Sequence, residues 1–233
     1  MPMNPETWLD ILATAFVLFE DARDQGFGDP PFSLGGGTVL MLRFKHRLSK
    51  DIDLFGYDAQ WLSVLSPRLN AKAASLALDY VEQANAVKLV TARGDIDFII
   101  AGDVTTMIER TAETFLGREV TIDPISEILA KKLFYRAATF KPRDVYDLSA
   151  AIDLAPTDAA RAVQAAAAKT DLVLRRLAEL AKLHPDTLLE GIIPYEDSLR
   201  HAPGMVEKVT TFIESQSHPE DALGHGSSPP GRQ

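Results

Sequence analysis

Residues 32–56, FSLGGGTVLMLRFKHRLSKDIDLFG, join a glycine-rich turn to an alternating acidic segment. The apolar stretch Phe32–Leu34 leads into Gly35–Thr38, and a helix is predicted from Val39 to about Phe44. Glycines let backbone N–H groups approach a phosphate closely, and the N-terminus of a helix adds partial positive charge. The spacing matches neither a P-loop nor a dinucleotide-binding fingerprint, so a flexible loop is the simpler interpretation of this turn by itself.

Two aspartates follow in the same stretch. Asp51-Ile52-Asp53 begins a predicted strand that ends at Gly56. Because side chains alternate along a strand, Asp51 and Asp53 face one way and Ile52 faces the core. Two carboxylates on one face repel each other unless a cation lies between them, and Mg²⁺ prefers carboxylate oxygens, usually alongside substrate phosphates. The alternative is a pair of exposed aspartates at a strand end.

The same alternation recurs in Asp95-Ile96-Asp97-Phe98. If the two acidic strands lie side by side, three or four carboxylates meet in one metal site. That arrangement is typical of two-metal phosphoryl transfer, in which paired ions hold the attacking and leaving oxygens. Asp95 has an alternative role as a turn residue.

Composition excludes several other classes of protein. The chain has 233 residues, with 24 Lys and Arg against 33 Asp and Glu, which gives a net charge of −9. This balance argues against a protein that coats nucleic acid, since phosphate binding is driven by Lys and Arg. The absence of cysteine excludes disulfides, thiolate metal sites and cysteine nucleophiles. Acidic residues near the N-terminus and the lack of a long apolar run predict a cytoplasmic protein without a signal peptide or membrane span.

Turn residues and periodicity predict the order of elements. An amphipathic helix comes first, and a mostly polar helix is predicted at about 59–71. Three β segments, at 76–83, 86–93 and 95–101, are separated by turns short enough for antiparallel pairing. Beyond Gly102 the pattern is interpreted as helical.

These elements predict two domains and a tail. Residues 1–122 form an α/β (α+β) domain with a mixed or antiparallel sheet, and residues 123–214 form an all-helical domain that completes a cleft. Residues 215–233, with almost no large apolar side chain, are predicted to be disordered. The cleft between the two domains is the expected site.

The predicted helical domain has charged side chains where burial is expected. Lys132 and Arg136 lie on or beside an apolar stripe, and long cations are seldom fully buried without a partner. Lys132 beside a cleft is therefore a candidate phosphate ligand, with snorkelling along the apolar surface as the alternative. Asp144 and Asp147 share a face of the next helix, where a favourable interaction with the helix dipole is the alternative role.

The cations are unevenly distributed. Residues 43–50 hold four Lys or Arg and residues 131–143 hold five, and neither window contains an acid. Both windows adjoin the candidate aspartates. We therefore expect one basic cleft in an acidic body, which suits a triphosphate and a single RNA end.

The segments that carry a family resemblance span roughly residues 30–150. They are Gly36-Gly37-Thr38, Arg43, His46-Arg47, Ser49, Asp51–Phe55, Asp97-Phe98, Lys132-Leu133, Arg143-Asp144 and Tyr146–Leu148. In combination they resemble the AbiEii/AbiGii-type nucleotidyltransferases. These are toxins of type IV toxin–antitoxin and phage-defence systems within the polymerase-β-like nucleotidyltransferase superfamily.

The resemblance implies a role for each matching residue. The implied catalytic residues are Asp51, Asp53, Lys132 and Asp147. The implied metal ligands are Asp51, Asp53 and Asp97. The implied nucleotide-binding residues are Gly36, Gly37, Thr38, Arg43, Arg47, Ser49 and Arg143. Lys131 in place of Lys132, and Asp144 in place of Asp147, stay open as alternatives.

The resemblance also implies an activity and its partners. The expected activity is transfer of a nucleotide from a nucleoside triphosphate to an acceptor hydroxyl with Mg²⁺ or Mn²⁺, and for some relatives the acceptor is RNA at a tRNA 3′ end. A cognate antitoxin encoded nearby is expected, and no membrane partner. Two other interpretations stay open: a catalytically silent module that binds nucleotide or a partner, and a nucleotidyltransferase for small molecules such as aminoglycosides.

Overall fold

The computed structural model describes residues 6–195 and 199–217. The strands within these ranges are β1 Ser33–Gly35, β2 Ile52–Gly56, β3 Asp79–Gln83, β4 Ala86–Val90, β5 Asp95–Ile100, β6 Thr111–Phe115 and β7 Arg118–Ile122. The helices are α1 Thr7–Asp24, α2 Gly36–Phe44, α3 Gln60–Leu65, α4 Ala71–Leu76, α5 Ile125–Tyr135, α6 Pro142–Leu154, α7 Pro156–Ala165, α8 Thr170–Leu180, α9 Pro185–Leu189 and α10 Met205–Ser217. Short 3₁₀ turns lie at Ala137–Thr139 and Ala167–Lys169.

The described strands form one mixed seven-stranded sheet in the order β3-β4-β5-β2-β1-β7-β6. The predicted antiparallel pairing of β3, β4 and β5 is confirmed. β2 is antiparallel to β1 but parallel to β5, and β1 is parallel to β7. The mixed sheet followed by a helical C-terminal half confirms the predicted fold class.

The prediction of a helix immediately beyond Gly102 is wrong, because β6 and β7 form an antiparallel hairpin there. Leu116 and Gly117 connect these strands with φ angles of 52° and 77°, as a primed two-residue hairpin turn requires. β7 pairs in parallel with β1, and this pairing buries Ile122 in the core. The partner strand lies far away in sequence, so a local pattern does not show it.

The polar helix predicted at 59–71 is two helices, α3 and α4. The residue before a proline is pushed out of the helical conformation, and Ser66 before Pro67 is extended with ψ 130°. Asn70 then caps α4 by accepting a hydrogen bond from the backbone N–H three residues further on, at 3.0 Å. α4 continues to Leu76, so β3 begins later than predicted.

Helices cover the sheet and build the second half of the chain. The apolar stripe of α1, including Trp8, Ile11 and Leu12, is buried, and α1 contacts β2 and β5. α5 packs against α7, and α10 packs against α6 and α8. The division into domains at residue 122 stays a prediction. No helix of the described ranges has the length and apolar character needed to cross a bilayer.

The C-terminal boundary of the last helix differs from the prediction. α10 continues to Ser217, so the first residues of the tail predicted at 215–233 are helical. Residues 218–233 lie outside the described ranges.

The turn from β1 into α2 places backbone directly against the acidic strand. Gly35 ends β1 opposite Asp53, and α2 begins at the next residue, earlier than the predicted Val39. Gly36 has a φ of 66°, and a Cβ added there would overlap the Asp53 carboxylate. A Cβ on Gly37 would lie 2.8 Å from Nη2 of Arg47. These two glycines therefore permit a close approach that no side chain would allow.

We expect Gly36→Ala to lower the free energy of unfolding by about 2–4 kcal/mol, since it adds left-handed backbone strain and displaces the Asp53 carboxylate. Gly117→Ala is the matched control, because Gly117 also has a positive φ but has no atom within 4 Å of an added Cβ. Urea denaturation measures both variants. Equal losses would show that the overlap with Asp53 costs nothing.

Candidate active site

A cavity of about 690 Å³ opens between the sheet and the start of the helical half. Its acidic lining residues are Asp51, Asp53 and Asp97. Its basic lining residues are Arg47, Lys88, Lys132, Arg136, Lys141 and Arg143. Both cation-rich windows of the sequence thus contribute side chains to one cavity. A second cavity of about 590 Å³, lined by aromatic residues such as Phe16, Phe19 and Phe32, contains none of the predicted site residues.

The acidic strands place two carboxylates side by side. β2 and β5 are parallel neighbours, and their register sets Asp53 directly opposite Asp97. Burial, and next the negative charge of Asp53, raise the pKa of Asp97 to about 6. The positive charge of Lys88 acts in the opposite direction and lowers this pKa. A divalent cation between the carboxylates would relieve this repulsion, so the donor set fits Mg²⁺, which often takes only one or two protein carboxylates.

Asp51 makes a different contact from the other two acids. Its Oδ1 accepts a hydrogen bond from the backbone N–H of Asp95 at 3.0 Å, at the start of β5. Within the described ranges, no three acidic or histidine side chains form a group placed to hold a metal ion. The structure thus brings Asp53 and Asp97 together, and the membership of Asp51 in the metal site stays a prediction.

Lys88 is a residue of the site that the sequence reasoning missed. It lies opposite Asp97 on β4, and its Nζ is 3.1 Å from an oxygen of both Asp95 and Asp97. Burial would lower the pKa of Lys88, but these two carboxylates raise it above the ordinary value. Alternation along Ala86–Val90 places Lys88 on the polar face of the strand, but only the pairing register identifies its partners.

The glycine turn presents the N-terminus of α2 to the same cavity. Gly37 lines the cavity, and no side chain of the described ranges caps α2. Ser49 also lines the cavity, beside Gly37. The hydroxyl of Thr38 is buried and donates a hydrogen bond to the carbonyl of Asp51. Thr38 therefore joins the turn to the acidic strand and is directed away from the cavity.

The buried carboxylate of Asp147 on α6 contacts two cationic side chains, those of Arg47 and Lys132. Asp147 accepts two hydrogen bonds from Arg47, at 2.6 and 2.8 Å, and one from Nε2 of His46 at 2.7 Å. The Nζ of Lys132 lies 3.2 Å from its other oxygen. Burial would raise the pKa of Asp147, but Arg47 and Lys132 outweigh it and hold the pKa well below the usual range.

The geometry separates the two candidate lysines. Lys132 lines the cavity and forms ion pairs with both Asp144, at 2.7 Å, and Asp147. Lys131 is bound to Asp123 at 2.7 Å and lies over the ring of Phe55. Of the two, Lys132 is the one on the 690 Å³ cavity, and both candidate aspartates contact it.

The two arginines predicted to bind nucleotide differ in position. Arg143 is exposed, lines the cavity and has no ion-pair partner within the described ranges. Arg43 does not line the cavity; it is exposed and forms an ion pair with Glu113 of β6. Arg43 lies on the exposed face of α2, and its side chain therefore does not reach the cavity.

The family model for "Nucleotidyl transferase AbiEii toxin, Type IV TA system" matches residues 17–210 of this chain. The chain belongs to the AbiEii nucleotidyltransferase toxin family. It is therefore a nucleotidyltransferase, as the resemblance predicted. No curated protein matches its sequence.

The solved structures that are similar to this AbiEii-family chain include the following two. An antigenic nucleotidyltransferase-like protein from Paracoccidioides brasiliensis has 14% sequence identity and a TM-score of 0.45, with 78% of this chain and 92% of that chain covered. The CD-NTase CdnG of Bradyrhizobium diazoefficiens, in complex with GTP, has 12% identity and a TM-score of 0.32, with 91% and 87% covered. Neither similarity identifies a substrate of this chain.

We expect Asp147→Asn to lower the free energy of unfolding of this AbiEii-family enzyme by about 3–5 kcal/mol, because it leaves Arg47 buried without its counter-charge and removes one of the two carboxylates paired with Lys132. Glu113→Gln, which removes the exposed partner of Arg43, is the control and should cost at most about 1 kcal/mol. Chemical denaturation measures both variants. Similar small losses would show that the buried network contributes no more than a surface pair.

The raised pKa of Asp97 predicts a pH dependence of stability. The folded protein holds the Asp97 proton more tightly than the unfolded chain does, because the folded pKa of about 6 exceeds the ordinary 3.8. We therefore expect the stability of the wild type relative to Asp97→Asn to fall as pH rises from about 4 to about 7, and then to level off. Urea denaturation in EDTA across that range measures the difference. A difference that stays constant with pH would contradict this account.

Proposed function

We propose that this chain transfers a nucleotide from a nucleoside triphosphate to an RNA hydroxyl, with a tRNA 3′ end as the acceptor. The observation that carries the proposal is the Asp53–Asp97 carboxylate pair beside the uncapped start of α2, in a cavity otherwise rich in cations. A carboxylate pair for a divalent cation and a set of donors for phosphates are the two parts that phosphoryl transfer requires.

The acidic residues supply the metal site of the proposal. Asp53 and Asp97, with Asp51 beside them, would hold Mg²⁺ or Mn²⁺, and the bound ion would neutralise charge on the reacting phosphate. The hydroxyl of Thr38 donates a hydrogen bond to the backbone carbonyl of Asp51, and this bond holds the glycine turn beside the acidic strand. Thr38 thus acts in this proposal through the backbone that it positions.

Backbone donors and cations bind the triphosphate. In this proposal the backbone N–H groups of Gly36 and Gly37 donate hydrogen bonds to the triphosphate, and the positive end of the α2 dipole stabilises its negative charge. The positive charges of Lys132 and the exposed Arg143 neutralise the β- and γ-phosphates of the triphosphate. The acceptor hydroxyl loses its proton to solvent as its oxygen forms a bond to the α-phosphorus. The bond from that phosphorus to the bridging oxygen breaks, and pyrophosphate leaves with the electron pair.

Asp147 acts as a positioning residue in this proposal. It contacts Arg47 and Lys132, and Arg47 also lines the cavity. Holding long, mobile cations in one geometry lowers the cost of ordering them when the triphosphate binds. Arg43 has no part in the proposed site, because it lies outside the cavity.

The acceptor and the biological role rest on charge and family. Arg136, Lys141 and Arg143 lie together on the cavity lining, whereas the chain as a whole has a net charge of −9. One basic site in an acidic body suits a single RNA end. The family description names a type IV toxin–antitoxin system, so we propose that the chain is the toxin and that a cognate antitoxin counteracts it.

We expect Asp53→Ala and Asp51→Ala to reduce nucleotide incorporation by about two orders of magnitude or more, since each removes a proposed ligand of the divalent cation that neutralises the reacting phosphate. The assay incubates the protein with Mg²⁺, each labelled triphosphate in turn, and purified tRNA or total RNA. Asp79→Ala, on the exposed strand β3, is the control and should retain activity.

Other outcomes of the same assay separate the alternative functions. Binding of a triphosphate by calorimetry without incorporation into any acceptor would identify a silent module. Labelling of an aminoglycoside but of no RNA would identify a small-molecule enzyme. Full incorporation by both aspartate variants would overturn the proposed mechanism.

A further inference from the structure

A row of charged side chains crosses the sheet beneath the cavity. The strand registers align Lys88 of β4, Asp97 of β5 and Asp53 of β2, and the next position is Gly35 of β1. Asp97 therefore lies between an ammonium group on one side and a second carboxylate on the other. This alignment is a property of the pairing and does not depend on a bound ligand.

Lys88 is held on the side of Asp97 that is away from Asp53. Its Nζ lies 3.1 Å from Oδ2 of Asp97 and 3.1 Å from Oδ2 of Asp95. Asp53, in contrast, forms no ion pair with any side chain of the described ranges. Both carboxylates line the cavity, and of the two only Asp97 is already paired with an ammonium group.

We propose that Lys88 is a positioning residue that competes with the divalent cation for Asp97 and so sets the affinity of the carboxylate pair for that cation. This inference rests on the proposed function, because it takes Asp53 and Asp97 as the residues that hold the cation. Asp53, Asp95 and Asp97 with Lys88 carry a net charge of −2, and Asp51 on the same cavity brings it to −3, so the group attracts a divalent cation even with Lys88 in place.

The geometry makes the competition direct. Lys88 and a cation between Asp53 and Asp97 would both use oxygens of Asp97, and their like charges repel at short range. The Lys88 side chain is about one-third exposed, so its ammonium can move toward solvent while its stem remains on the sheet. Removing the ammonium leaves a more negative site that attracts a divalent cation more strongly.

Titration of the 233-residue chain with Mn²⁺ tests the inference without any turnover. Electron paramagnetic resonance measures the free Mn²⁺ at each step, in the absence of nucleotide. We expect Lys88→Met to tighten Mn²⁺ binding about fivefold or more, because it removes a like charge from the immediate surroundings of the cation. Lys88→Arg keeps the charge and should bind as the wild type does.

Two further variants separate the causes of any change. Lys72→Met removes the same charge from an exposed position on α4 and should leave Mn²⁺ affinity unchanged. Asp53→Asn removes the carboxylate that has no ion-pair partner in the described ranges and should abolish the binding. Thermal melting adds a second measurement: Lys88→Met should melt lower than the wild type in EDTA and gain more from Mn²⁺, since the cation replaces the lost counter-charge.

The outcomes distinguish this inference from the proposed function. Mn²⁺ binding that depends on Asp53 but is equal or weaker in Lys88→Met would overturn the role of Lys88 and leave the metal site intact. Equal tightening in Lys88→Met and Lys72→Met would also overturn it, since net charge alone would then explain the effect. Binding that does not depend on Asp53 would overturn the metal site itself, and the inference with it.

Discussion

The repulsion between Asp53 and Asp97 is the constraint around which the site is built. Parallel pairing of β2 with β5 sets the two carboxylates opposite each other, and burial together with the charge of Asp53 raises the pKa of Asp97. The fold offsets this cost with Lys88 on one side and with the positive end of α2 on the other. Gly36 permits that helix end to approach, because any side chain there would overlap the carboxylate of Asp53.

A second carboxylate connects the two halves of the chain. Asp147 lies on a helix of the C-terminal half, and its partner Arg47 comes from the segment between α2 and β2. Lys132, one helix earlier, contacts the same group. Buried ion pairs are weak evidence for stability but good devices for position. Here one carboxylate holds two cations from distant segments on the lining of one cavity.

Local sequence pattern predicted much of this arrangement. The apolar stripe of α1, the antiparallel pairing of β3 to β5 and the facing carboxylates of the acidic strands all follow from periods that a short window contains. The β6–β7 hairpin was missed because its burial depends on β1, far away in sequence. Arg43 and Thr38 are of the expected residue types, but their side chains have other partners. Arg43 forms an ion pair with Glu113, and Thr38 donates a hydrogen bond to the backbone carbonyl of Asp51.

The sequence by itself determined which face of each strand or helix carries charge, since alternation and helical spacing are set by covalent geometry. It also determined the family, through residue types at fixed spacings. Only the tertiary structure decided which charges meet: Lys88 with Asp97, Lys131 with Asp123, and Arg47 with Asp147. Strand register and helix packing determine these pairings. Both arise from contacts between segments far apart in the chain, which the local periodicity of hydrophobic and polar residues does not predict.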